Sequence, residues 1–126
     1  MLRALVVEDD DLLARLERSL LVRRGFEVSC ASNLAQALRL LVELAPTVAL
    51  IDLHLEHESG VDVVREMRAS GRRLAILAVS GSGEAREEAL AAGADGFLSK
   101  PFAPQQFMAA VLEALTAQGM SLPPDQ

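Results

Sequence analysis

The sequence contains no tryptophan, no tyrosine and only four phenylalanines, so the core of its fold has to be aliphatic. It contains a single cysteine, Cys30. An internal disulfide is therefore excluded, a reducing compartment is the default, and the thiol is expected as a small buried hydrophobe. No apolar run approaches the roughly 20 residues that a membrane-spanning helix needs. The N-terminus has one arginine and a short apolar run before Glu8-Asp9-Asp10-Asp11. That is too short and too acidic for a secretory signal, so a cytoplasmic protein without a membrane partner is expected. Basic residues are in the minority, and the formal net charge of −6 leaves no basic face for direct nucleic-acid binding. There is no internal repeat and no low-complexity tract.

What is present suits one domain. The chain has 126 residues, 51% of them hydrophobic and 24% charged, which is long and apolar enough for a substantial core. Apolar runs alternate with helical patterns. Ala4–Val7 reads as a first strand, with Asp10 or Asp11 as the cap of a helix in which Leu12, Leu13, Leu16 and Leu20 fall at helical spacing and Arg15, Glu17 and Arg18 lie between them. Gly25 stops that helix. Phe26–Ala31 is a weaker strand. Ser32 and Asn33 can cap a helix with Leu34, Ala37, Leu38 and Leu41 inside, and Pro46 follows its end. Val48–Ile51 is a third strand, and residues 53–60 read as a polar loop. Val61–Ala69 is a helix packing through Val63, Val64 and Met67. Leu74–Val79 is a fourth strand, followed by a flexible turn at 80–83. Glu84–Ala92 is a helix, Gly96–Ser99 a short fifth strand, and Pro104 opens a last helix with Phe107, Val111 and Leu115 on its core face. Met108 and Leu112 lie on its outer face and would form a partner surface if exposed.

Five strands alternating with five helices predict an α/β fold: a doubly wound parallel sheet covered on both faces, with ligands bound beyond the carboxyl ends of the strands. Those ends carry the chemistry. The first strand ends in Glu8 and Asp9, the third in Asp52, the fourth in Ser80 and the fifth in Lys100; the second ends in Cys30 and Ala31. An uncharged end suits an edge strand, giving the order 2-1-3-4-5. Three clustered carboxylates repel one another and raise their pKa values unless a cation intervenes. Oxygen ligands without thiolate favour Mg²⁺. A lysine and a serine hydroxyl opposite them can meet phosphoryl oxygens, and an aspartate is a competent nucleophile toward phosphorus. His54, Glu56 and His57 do not have the spacing of a helical zinc motif.

The run Leu5-Val6-Val7-Glu8-Asp9-Asp10, then Leu50-Ile51-Asp52 with Gly60 eight residues on, Ala78-Val79-Ser80-Gly81, and Gly93-Ala94-Asp95-Gly96-Phe97-Leu98-Ser99-Lys100-Pro101-Phe102 resembles the receiver domain of bacterial response regulators, the phosphoacceptor modules of two-component signalling. The resemblance covers residues 2 to about 117. It implies the flavodoxin-like receiver fold over residues 1–118, with 119–126 as a tail or the start of a linker. It implies that Asp52 is the phosphoacceptor and that Glu8, Asp9, Asp52 and the backbone carbonyl of His54 bind Mg²⁺. Lys100 would pair with the phosphoryl group, with a cis peptide bond to Pro101. Ser80 and Phe97 would be the switch residues. The implied partners are a sensor histidine kinase or phosphotransfer protein as donor and a downstream effector domain or protein. A homodimer is also open, since the last helix carries too little charge for a pairing code to be read. Such a module promotes its own phosphorylation and slow dephosphorylation but is no turnover enzyme.

Two positions depart from the family's pattern. Glu56 stands where a proline is usual four residues after the acceptor, and Phe97 lacks a tyrosine hydroxyl. His54 and Ser82 flank the path of hydrolytic water in this family, so His54 is expected to alter the dephosphorylation rate. Three rival readings are a pseudo-receiver that binds partners without phosphorylation, a small Mg²⁺-dependent phosphatase, and a flavodoxin-like cofactor binder. The full set of acids, serine and lysine opposes the first. The lack of a substrate cap opposes the second, and the lack of a phosphate-cradling loop after the first strand opposes the third.

Overall fold

The computed structural model describes residues 2–122. Five parallel strands, β1 (Arg3–Val7), β2 (Glu27–Ala31), β3 (Val48–Asp52), β4 (Ala75–Ser80) and β5 (Gly96–Ser99), form one sheet in the order β2-β1-β3-β4-β5. The α-helices are α1 (Asp11–Val22), α2 (Leu34–Leu44), α3 (Gly60–Ala69), α4 (Arg86–Ala92) and α5 (Pro104–Ala117). The expected helix from Glu84 begins as a 3₁₀ turn, Gly83–Ala85, before α4 proper.

The pleat divides the core in two. Leu5, Val7, Ala49, Ile51, Ile76 and Ala78 face α2, α3 and α4. Ala4, Val6, Val48, Leu50, Leu77 and Val79 face α1 and α5. The central strands β3 and β4 are buried at every residue, which is why they read as unbroken apolar runs rather than alternating ones. Asp10 caps α1 by accepting from the Leu12 and Leu13 amides, Asn33 caps α2 through the Gln36 amide, and Ser59 caps α3 through the Val61 amide. Phe107, Val111 and Leu115 are fully buried on α5, while Met108 and Leu112 are half-buried rather than exposed.

Two expectations fail. The buried face of α1 is Ala14, Glu17 and Leu21, whereas Leu12 and Leu16 are 77% and 46% exposed. The leucines define a regular stripe, but the packing of α1 against the sheet selects the adjacent one. Cys30 is exposed. It lies on the outermost strand, opposite Val6 in register, where the sheet ends and the covering helix no longer shields it. In addition, the polar loop after β3 carries two buried leucines, Leu53 and Leu55.

Opposite the functional edge, Arg68 ties three elements together. Its Nε donates to the Gly93 carbonyl at 2.9 Å, Nη1 to the Leu74 carbonyl at 3.0 Å, and Nη2 to Asp95 Oδ2 at 2.7 Å. Asp95 also accepts from the Ile76 amide and from Gln118 Nε2. Past α5, Met120 and Leu122 pack against the core; the rest of the expected tail, 123–126, lies outside the described residues. No helix among the described residues is long and apolar enough to cross a membrane.

Candidate functional site

Each functional side chain follows a strand, so the sheet's register sets the site. The Glu8 amide donates to the Ala31 carbonyl at 2.9 Å and extends the β1–β2 ladder by one residue, which turns the Glu8 side chain into the protein, where it is buried. Asp52 closes β3, opposite Val79. The Leu53 amide donates to the Val79 carbonyl at 3.0 Å, and the Gly60 amide returns to the Leu53 carbonyl at 3.1 Å. Gly60 is required here by space: a Cβ on it would lie 2.0 Å from the Asp52 carbonyl oxygen and 2.5 Å from Leu53 Cα. The first turn of α3 is thus seated on the backbone of Asp52 itself. Ser80 closes β4, fully buried, and its carbonyl accepts from the Lys100 amide at 2.8 Å. The Lys100–Pro101 peptide bond is cis.

The side chains converge. Lys100 Nζ is 3.3 Å from Asp52 Oδ1 and 3.5 Å from Glu8 Oε1. Glu8 Oε2 accepts from the Asp10 amide at 3.2 Å, and Asp52 Oδ1 accepts from the His54 amide at 3.1 Å. The Glu56 amide donates to Asp9 Oδ2. Ser80 Oγ accepts from the Ser82 amide at 3.0 Å and lies 2.9 Å from His54 Nε2. Phe97 is half-buried and packs on the core shared by α2, α3 and α4. Glu8, Asp9, Asp52, Ser80, Lys100 and His54 therefore share one edge, with Phe97 on β5 beside it. His57 points away: its ring nitrogen is 3.8 Å from Glu56 Oε1, with both side chains largely exposed.

The electrostatics follow from burial. Desolvation and the hydrogen bond shared with Asp52 push the Glu8 carboxyl up to about 7, despite the opposing pull of Lys100. Burial also works against the Lys100 ammonium, but the Asp52 and Glu8 carboxylates outweigh it and raise its pKa above the ordinary value. Behind them Glu17 is pushed up to about 8, mainly by burial and then by the Glu8 charge. The site is thus a buried acid cluster with one cation, and it holds a proton near neutrality. Glu17 was not legible as part of it, because a glutamate between leucines on a helix reads as a solvated residue. The only signal was the alternative face Ala14, Glu17, Leu21 at i, i+3, i+7.

Glu8, Asp9 and Asp52 each offer a carboxylate oxygen, and these atoms lie within 4.8 Å of one another. Among the described residues this is the cluster with metal-ligating spacing. Close hard oxygen donors, one of them forced toward its protonated form, suit a small divalent cation that would relieve the repulsion.

Comparison with known proteins agrees with this architecture. Residues 4–112 match the family described as the response regulator receiver domain. The chain is 40% identical over 120 residues to the transcriptional regulatory protein PrrA of Mycobacterium leprae, covering 93% of this chain and 51% of that protein. It is 32% identical over 120 residues to the regulatory protein AtoC of Escherichia coli, covering 94% of this chain and 26% of that one. The chain thus spans about half the length of the former and a quarter of the latter. Among solved structures, a CheY-like receiver domain protein from Methanospirillum hungatei superposes with a TM-score of 0.86 at 26% identity, covering 94% of this chain and 97% of that one. A response regulator from Burkholderia pseudomallei, solved with a phosphorylated aspartic acid, a calcium ion and citrate, superposes with a TM-score of 0.82 at 29% identity, covering 94% of this chain and 72% of that one. With the sheet order, the strand-end residues and a family match over nearly the whole chain in agreement, this protein belongs to the response regulator receiver domains of two-component signalling.

Proposed function

We propose that the chain is a phosphorylation-operated signalling switch in which Asp52 accepts a phosphoryl group from a phosphohistidine of a sensor kinase or phosphotransfer protein. The observation that carries this is the ion pair of Asp52 with Lys100 at 3.3 Å inside a cluster of carboxylates suited to a divalent cation. A carboxylate oxygen of Asp52 attacks phosphorus, an O–P bond forms as the N–P bond of the donor breaks, and the donor imidazole leaves. Lys100 balances charge on the phosphoryl oxygens, and Ser80 supplies a hydroxyl donor to one of them. Glu8, Asp9, Asp52 and the His54 carbonyl would hold Mg²⁺, which when bound offsets negative charge between the acids and the incoming phosphoryl group.

Slow hydrolysis of the acyl phosphate resets the switch, so the protein acts by its state and not by turnover. Phosphorylation biases a two-state equilibrium read on the face of α4, β5 and α5, with Ser80 and Phe97 as the moving parts and an effector domain or protein as reader. The phosphorylated aspartate of the Burkholderia pseudomallei relative supports the same chemistry here.

Acetyl phosphate with Mg²⁺ tests this by mass spectrometry. The expected result is a mass gain of one phosphoryl group in the wild type and none in Asp52→Asn. No gain from acetyl phosphate or from a phosphohistidine donor overturns it.

A further inference from the structure

Ser80 Oγ is buried, yet the side chain that covers it is exposed. His54 is open to solvent, and its Nε2 lies 2.9 Å from Ser80 Oγ. The Ser82 amide donates to the same oxygen at 3.0 Å. The hydroxyl is therefore held from two sides, by the loop after β3 and by the turn after β4. The imidazole bond forms in either tautomer, with the ring nitrogen donating or accepting. The backbone of His54 is fixed independently, since its amide donates to Asp52 Oδ1 at 3.1 Å. One residue thus touches both the acceptor carboxylate and the switch hydroxyl, through different atoms.

We infer that the His54 imidazole is a positioning residue that latches the Ser80 hydroxyl in the unphosphorylated state. This deepens the reading of Asp52 as phosphoacceptor and rests on it. The latch operates where Nε2 is the acceptor: the Ser80 hydroxyl then spends its one proton on the imidazole, and giving that proton to a phosphoryl oxygen on Asp52 breaks the bond to His54. The latch therefore adds to the free energy separating the resting and activated arrangements, and any phosphoryl-like ligand binds more weakly because of it. It acts through Ser80 alone, which distinguishes it from a general effect of bulk or charge beside Asp52.

The test uses beryllofluoride, a phosphoryl mimic, with Mg²⁺, and measures affinity by titration calorimetry. Losing one hydrogen bond of ordinary net strength corresponds to roughly fivefold, so His54→Ala is expected to bind about that much more tightly than wild type. His54→Gln, which keeps a polar group of similar reach, is expected to return toward the wild-type value. In a Ser80→Ala background, His54→Ala is expected to change nothing. Unchanged or weaker binding by His54→Ala, or an equal gain in the Ser80→Ala background, overturns the latch. Failure of the phosphoacceptor reading looks different: the wild type itself then binds no beryllofluoride, or Asp52→Asn binds it equally well. Because the His54 ring is exposed, both substitutions leave the core intact, and thermal unfolding without ligand checks this.

Discussion

The backbone N–H of Glu56 donates to the carboxylate of Asp9, joining the loop after β3 to the acid that follows β1. Receiver domains usually carry proline at this place, and proline has no N–H to give. The glutamate in place of proline thus allows a backbone bond that any residue except proline can make. Glu56→Ala retains the N–H and is expected to alter stability by less than about 0.5 kcal/mol. Glu56→Pro removes it and is expected to cost about 1–2 kcal/mol. Urea unfolding distinguishes the two, and equal stability of both variants would remove the bond from the account.

Glu17 makes stability depend on pH in a defined direction. Its folded-state pKa of about 8 lies above its ordinary 4.5, so the folded protein binds the proton more tightly than the unfolded chain. The associated stability is fully present below the unfolded value and is lost as pH rises through the folded one. Glu17→Gln keeps the shape and removes the titration. It is expected to raise stability at pH 8 by an amount on the order of 2 kcal/mol, with a smaller gain at pH 5. Parallel stability curves for variant and wild type between those pH values would exclude this role.

Proton release should accompany cation binding. Glu8 titrates at about 7, and a ligating carboxylate has to be ionised. Mg²⁺ affinity is therefore expected to rise with pH up to about 7, by up to about tenfold per pH unit below it, and then to level off. Calorimetry in buffers of different ionisation enthalpy reads the released proton directly. In Glu8→Gln the released proton should disappear, along with part of the affinity.

Gly60 is the position least tolerant of a side chain. A methyl group there would overlap the Asp52 carbonyl and Leu53 Cα, both backbone atoms that cannot rotate away. Gly60→Ala is expected to destabilise the fold by about 3 kcal/mol or more. Any folded fraction is expected to accept phosphate from acetyl phosphate more slowly than wild type, because Asp52 itself would be displaced. Wild-type kinetics in that variant would show that the helix seat does not position the acceptor.

Most of the site was legible because each of its residues follows an apolar run. Glu8, Asp52, Ser80 and Lys100 mark where buried strands stop, and parallel strands stop at one edge. The place of β2 at the sheet edge was legible because its end alone delivers no functional group to the site. What was not legible depends on how elements dock. The leucine stripe of α1 is regular, yet the helix turns Ala14, Glu17 and Leu21 inward. The three-way clamp of Arg68 on Gly93, Leu74 and Asp95 joins residues distant in sequence, and no local pattern announces it. Leu53 and Leu55 sit among polar neighbours, and their burial is decided by α3 folding back over β3.

The exposure of Cys30 on the outermost strand has a practical side. A chain without tryptophan or tyrosine gives almost no near-ultraviolet absorbance or intrinsic fluorescence with which to follow its state. One accessible thiol, unrivalled in the sequence, offers a place for a spectroscopic label that needs no engineered residue. It lies at the carboxyl edge of the sheet, two strands from Asp52 and separated from β3 by β1, close enough to share a rigid scaffold with the acceptor without standing in its path.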